Sequence, residues 1–247
     1  MSALLPFIMA GYPGHNAHLA QLAAAKQCGI EAIELGIPHS DPIADGPVLQ
    51  TAAHAAIDSG TTLREVLAGL AGVEDTPDII LFSYFNPLLQ LGLNDLLAAL
   101  RLTRVRALLV VDLPFGEEPE FEKALLAAGY PLIPLLTPTT DLARARQLLA
   151  ERPDPGSTAP FAQRFAYVVA RLGITGESTD AFDEIEQRVR QLQALTERPL
   201  AVGFGLGDAA SLRRVRAMGV TPIVGSALVK SLGAGETPEA AFARLTE

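Results

Sequence analysis

The sequence predicts an α/β chain folded as a single (β/α)8 barrel domain over residues 1–247. Three observations point there. Eight short apolar runs recur along the chain, and longer amphipathic segments separate most of them. Most of the runs are continuous rather than alternating, which is the pattern of strands buried on both faces of a parallel sheet. Turn-forming residues gather just after the runs, where a parallel barrel builds its active-site face.

The first run, residues 4–11, ends in GYPG. The segment HLAQLAAAKQCG follows, with apolar residues three and four apart, as a helix with one buried face requires. Gly29 is placed to cap it. The run at 32–38 passes into HSDPIADGP, and the interval before the run at 78–84 is long enough for a loop and a helix. YFNP closes that third run, and LNDLLAALRLT reads as the next helix. The run at 107–114 leads into FGEE and then EPEFEKALLAAG, with Gly129 as a second cap. The run at 131–138 ends in TPTT, and ERPDPGSTAP at 151–160 reads as a surface loop. The runs at 165–171 and 199–205 lead into GITGEST and GFGLGD. Gly219 is the third cap, before the last run at 221–228 with its VGSA. An open doubly wound sheet would share this alternation. Eight strands and a length of 247 residues favour the closed barrel, which typically needs about 250.

Composition narrows the function. A net charge of -9 and no local basic patch disfavour nucleic acid. Cys28 is the single cysteine, so no intrachain disulfide forms, which fits a reducing compartment. His15, His18, His39 and His54 have no metal-ligand spacing. No apolar run approaches the roughly 18 residues that span a bilayer. The apolar start MSALLPFIMAG lacks a basic leader and a cleavage site, so it reads as a buried strand and the protein as cytoplasmic.

Three groups of residues could carry chemistry. Glu34 lies inside the apolar run AIELGIP. A carboxyl in a dry strand is costly unless paired, neutral or functional, and against apolar walls it could donate a proton near neutral pH. Asp41 and Asp45 follow in the loop. Both stand in ordinary turn sequences, but Asp45 sits eleven residues beyond Glu34, over the expected barrel mouth. Two carboxyls in different surroundings can divide acid and base roles. Gly176, Gly205, Gly225 and Ser226 follow late strands, where backbone N–H groups and a short helix can hold a phosphate. GFGLGD has the wrong spacing for a dinucleotide fingerprint, and there is no Walker lysine. Phe7, Phe82, Tyr84, Tyr167 and Phe204, at strand ends, could wall a flat apolar substrate, although barrel interiors are filled by such side chains in any case.

ELGIPHSDPIADGP closely resembles the signature segment of the tryptophan synthase α-chain family. PFIMAGYPG, FSYFNP, VVDLPFGEE, LLTPTT, YVVARLGITG, AVGFG and IVGSALV resemble that family's strands in order, along nearly the whole chain. The resemblance implies a (β/α)8 TIM barrel that cleaves indole-3-glycerol phosphate to indole and glyceraldehyde 3-phosphate, a lyase of tryptophan biosynthesis. It implies that Glu34 is the proton donor and hydroxyl base, that Asp45 holds the indole N–H, and that Tyr167 stands beside the substrate. Phe7, Phe82, Tyr84, Leu109, Leu136 and Phe204 would form the indole wall. Thr175 would belong to a mobile loop after the sixth strand, and Gly176, Gly205, Gly225 and Ser226 to the phosphate loops. Pro38 and Asp41 would lie near the interface with a β chain, in an α2β2 heterotetramer. That partner would carry pyridoxal phosphate, and this chain would need no cofactor and no metal.

The chain departs from the family pattern at some points. The family usually has a helix before the first strand that covers the barrel floor, whereas here the first strand stands almost at the start, so the closure of the floor is an open question. His39 stands where an aromatic residue is common, and reads as a simple loop substitution. Ala170 replaces a frequent serine, and MGVTPIVGSA leaves the start of the last strand open. The rival readings are another sugar-phosphate isomerase or aldolase of this fold, a stand-alone indole-3-glycerol-phosphate lyase, and a catalytically silent barrel. The first has no need of both Glu34 and Asp45, and the presence of both counts against the last.

Overall fold

A computed structural model describes residues 4–152, 155–156, 158–169, 179–203 and 208–246. The elements follow in chain order: β1 (Leu5–Met9), α1 (Ala17–Gln27), β2 (Ala32–Gly36), α2 (Pro47–Asp58), α3 (Leu63–Leu70), β3 (Asp78–Ser83), α4 (Phe85–Leu91), α5 (Leu93–Leu100), β4 (Val105–Val110) and α6 (Pro119–Ala127). Then come β5 (Leu135–Leu136), α7 (Leu142–Glu151), α8 (Phe161–Arg164), β6 (Ala166–Val169), α9 (Thr179–Gln193), β7 (Leu200–Gly203), α10 (Ala209–Ala217), β8 (Thr221–Val224), α11 (Ser226–Gly233) and α12 (Pro238–Thr246).

The eight strands form one sheet in the order β4-β3-β2-β1-β8-β7-β6-β5, parallel at every pairing. Strand β1 pairs with both β2 and β8, which an open doubly wound sheet with helices on both faces does not do with its first and last strands. The remaining gap, between β4 and β5, is bridged at Leu108 and Leu132. There the Leu108 N–H donates to the Pro131 carbonyl at 3.1 Å, and the Ile133 N–H to the Leu108 carbonyl at 2.8 Å. The barrel expected from the sequence is therefore the one observed, with β5 reduced to two residues among prolines that cannot donate to a ladder.

The continuous apolar runs are explained by burial on two sides. Ile79, Leu81 and Leu108 pack outward in the layer shared with the helices, whereas Leu5, Ile80, Leu109 and Ile223 fill the lower interior. Local signals set the helix ends. Gly29, Gly129 and Gly219, expected as caps, each take a positive φ directly after α1, α6 and α10. A capping box between Thr62 and Glu65 starts α3, and the Asp141 and Asp208 carboxylates accept the first-turn N–H groups of α7 and α10. Gly11 turns the chain out of β1 with φ +78, and a Cβ there would meet Thr61 Oγ1 at 2.1 Å. The interval after β2 holds two helices, α2 and α3, rather than one.

The floor of the barrel is closed from within the chain. The short helix α8 crosses under β2, β3 and β4. Ala162 and Phe165 join the lower interior cluster, with Phe165 fully buried and Phe161 stacked on it at 5.1 Å. Gln163 Nε2 donates to the carbonyls of Arg106 and Gly129, both at 3.0 Å, stitching the two sides of the β4–β5 gap. In the stretch at 151–160 expected as a surface loop, Arg152 turns inward, donates to Glu122 Oε2 at 3.1 Å and lies over the Phe115 ring. Among the described residues, no helix is long and apolar enough to cross a membrane.

Candidate active site

A cavity of about 350 Å³ opens at the C-terminal ends of the strands, within the range of small-molecule pockets. Glu34, at the middle of β2, faces into it, set between Phe7 of β1 and Ile80 of β3 by the strand register. The residue is fully buried, and neither carboxyl oxygen has a hydrogen-bond partner among the described residues. Burial alone pushes its pKa well above the ordinary carboxylate range, which favours the neutral acid over the anion.

Asp45 reaches the same cavity from the loop between β2 and α2, and is half-buried. Its Oδ2 accepts the Tyr84 hydroxyl at 3.1 Å, while that hydroxyl accepts the Ala44 N–H at 2.9 Å. Gln50 Nε2 holds the Asp45 carbonyl at 2.9 Å. Burial raises the Asp45 pKa, and the Tyr84 hydrogen bond and the His39 charge pull it back. Glu34 therefore has only desolvation acting on it, whereas Asp45 has desolvation opposed by two partners. This is the kind of division that separates an acid from an anion.

The walls are apolar. Phe7 and Phe82 meet edge to face at 5.2 Å. Phe7 fits because its neighbours carry no side chain: a Cβ on Gly36 would lie 2.3 Å from Phe7 Cζ. Tyr167 of β6 stands across the cavity from β2, and burial raises its pKa first, followed by the Glu34 and Asp45 charges. Gly203 on β7 leaves the room its hydroxyl occupies, since a Cβ there would approach it to 2.5 Å. Gly225 and Ser226 also line the cavity, at the start of α11, where a helix leaves its first N–H groups without intrahelical partners.

Other expected residues fall elsewhere. Tyr84 is buried behind Asp45 and does not line the cavity. Leu109 packs one layer below the wall, in the lower interior, and Val111 takes the wall position. Leu136 is a correction: it packs outward with the helices, and Leu135 faces the cavity instead. In a strand the two faces alternate, so placing the register one residue off exchanges them. Thr175, Gly176, Phe204 and Gly205 lie outside the described residues, as does Ala170. Pro38 is buried and Asp41 exposed on the rim, beside Ile43, which is 77% exposed. Leu49, Thr137, Val169 and Ile223 line the cavity without having been expected. The signal that could have found Val111 and Val169 is the two-residue step from an inward-facing neighbour. No cluster of three metal-ligating side chains occurs among the described residues.

A closed parallel barrel with a dry carboxyl and a loop carboxylate meeting at its C-terminal mouth defines a (β/α)8 enzyme with its site in the usual place for that class. Residues 1–247 match the sequence profile of the family described as tryptophan synthase alpha chain. The tryptophan synthase alpha chain of Picosynechococcus sp. is 36% identical over 248 residues, covering 99% of this chain and 90% of that one. Among solved structures, the tryptophan synthase subunit alpha from Campylobacter jejuni superposes with a TM-score of 0.82 at 27% identity, over 100% of this chain and 94% of that one. A chain of the tryptophan synthase complex from Pyrococcus furiosus gives 0.80 at 29% identity, over 98% and 95%. The chain belongs to the tryptophan synthase alpha chain family, and is an enzyme subunit of tryptophan biosynthesis.

Proposed function

We propose that this chain, acting as one barrel domain, is a carbon–carbon lyase that cleaves indole-3-glycerol phosphate to indole and glyceraldehyde 3-phosphate. The observation that carries the reading is the fully buried Glu34 carboxyl, unpaired and facing the cavity that Asp45 also lines.

The chemistry follows from those two environments. Neutral Glu34 donates its proton to C3 of the indole, which makes the ring an iminium cation with the N–H still in place. Ionised Asp45 accepts that N–H and stabilises the positive charge as it develops. Glu34, now a carboxylate in a dry site, is a strong base and removes the proton of the side-chain hydroxyl next to C3. The bond from C3 to the hydroxyl-bearing carbon breaks, its electron pair returns to the ring, and an aldehyde and neutral indole result. One proton leaves Glu34 and one returns, so the enzyme ends as it began. Tyr84 holds Asp45 ionised and oriented. Phe7 and Phe82 supply a flat apolar wall for the ring, and Tyr167 flanks it. Gly225 and Ser226, at the start of α11, take part of the phosphate, with Gly176 and Gly205 as the other expected contributors.

The chain itself holds no cofactor in this reading. It works in the cytoplasm with a β chain that carries pyridoxal phosphate, in an α2β2 assembly, with Pro38 and Asp41 near the contact. The solved relative described as a tryptophan synthase complex supports such a pairing. The test is an indole-release assay on indole-3-glycerol phosphate, with and without a β chain. Release is expected in wild type, strengthened by the β chain. Glu34→Gln is expected to lose at least about 10³-fold in kcat with substrate binding largely kept, and Asp45→Asn at least about 10²-fold. No release by wild type in either condition defeats the reading.

A further inference from the structure

We propose that His39 is a positioning residue for the cleavage reaction, which stacks on Tyr84 and so fixes the hydroxyl that orients Asp45. Its ring lies 4.6 Å from the Tyr84 ring with an interplanar angle of 26°. Tyr84 in turn is the only side chain that hydrogen-bonds the Asp45 carboxylate among the described residues. The loop that carries Asp45 is thus tied to the barrel twice through one tyrosine, by the Ala44 N–H and by the Asp45 carboxylate. His39 covers the face of that tyrosine from the same loop. It does not line the cavity, so it acts through Tyr84 and Asp45 and not on the substrate.

A phenylalanine could supply the stack alone. A histidine adds a charge that its pH environment controls. An imidazole is cationic in the acid range where a carboxylate titrates, and the His39 charge favours the ionised form of Asp45. Other titratable groups among the described residues lie on or against the same loop, or act on the same tyrosine. His54 of α2 has its Nε2 3.2 Å from the Ser40 carbonyl. Asp112, beyond β4, accepts the Phe85 N–H at 2.7 Å and acts on Tyr84. Asp41 is exposed on the rim. His39 therefore keeps Asp45 able to accept the indole N–H to lower pH than an uncharged aromatic residue would allow.

The inference rests on the cleavage reading, and two measurements separate their fates. In the first, the pH profile of kcat for indole release is compared in wild type, His39→Phe and His39→Ala. His39→Phe should keep kcat at pH 8 within about twofold and move the acid limb up by about half a pH unit. His39→Ala loses the stack as well, and should lower kcat about fivefold or more with KM within about twofold. In the second, the Asp45 carboxyl is followed by NMR titration in wild type and His39→Phe. Removing the His39 charge should raise the Asp45 midpoint by about half a unit. Wild-type kcat in His39→Ala overturns the proposal, and so do superimposable acid limbs in wild type and His39→Phe or an Asp45 titration unmoved by His39→Phe. If wild type releases no indole, the cleavage reading fails, while the NMR titration still decides whether His39 and Asp45 are coupled.

Discussion

The property that makes Glu34 useful also makes it a burden on the fold. Its carboxyl is dry and unpartnered, so the folded protein holds the neutral form at pH values where the unfolded chain has already ionised. Between the ordinary carboxylate pKa of 4.5 and the raised value in the fold, the native state binds more protons than the unfolded one. Stability contributed by the neutral carboxyl is present below that range and is lost as pH rises through it, at up to about 1.4 kcal/mol per pH unit. Glu34→Gln does not titrate. Urea unfolding across pH 5–9 should show the variant gaining on wild type as pH rises, and parallel curves would mean that Glu34 is solvated or paired. The burden was legible in the sequence, because a Glu inside AIELGIP has nowhere polar to go. The face of Leu136 was not legible: β5 is two residues long between prolines, and nothing in so short a run distinguishes Leu135 from Leu136.

At the scale of elements, the strands could be read because both faces of each are buried, which leaves an uninterrupted apolar run. The helix caps could be read because a left-handed residue after a helix favours glycine. Helix α8 could not be read. Four residues give no periodicity, and Phe165 looked like the first residue of a strand when it is the residue that ends α8 and plugs the floor. The question that the sequence raised about the floor is answered by this element. Phe165→Ala should destabilise the protein by about 3–5 kcal/mol in urea or thermal unfolding, because the interior around it is formed by strands that cannot collapse onto the space. The folded variant should retain indole release, since Phe165 lies at the opposite end of the barrel from Glu34 and Asp45. A loss below about 1 kcal/mol would show that α8 is not packed as described.

For the whole molecule, acid stability draws on a second buried group that the reaction does not use. His18 of α1 is fully buried, with Nε2 unpartnered among the described residues and Nδ1 accepting the Gly11 N–H at 3.4 Å. Burial lowers its pKa from 6.5 to about 4, with His15 adding to the effect. Below pH 6.5 the unfolded chain takes up a proton that the fold refuses, so stability falls with pH down to about 4, by about 3 kcal/mol in all. Glu34 drifts the opposite way in part of this range, so the measurement belongs in a Glu34→Gln background, where adding His18→Asn should flatten the acid slope. An unchanged slope would assign acid sensitivity to other groups. The rim of the barrel carries the remaining prediction. Asp41→Lys should weaken β-chain binding about tenfold by titration calorimetry, because a reversed charge at an interface costs more than a lost contact. Equal affinity would move the contact away from this loop.

The β4–β5 gap, crossed by one bridge and a glutamine stitch, makes the barrel resemble a book with a single spine at β1 and β8. Such a book can be divided where it opens. A gene cut between β4 and β5 would yield two contiguous half-barrels of four strands each, and the edges they must rejoin are the spine, which neither half has lost. The same loose edge would then separate the catalytic labour, with Glu34, Asp45 and Tyr84 in the first half and Tyr167, Gly225 and Ser226 in the second. Two pieces that are inert alone would make one enzyme together, a natural basis for a complementation reporter.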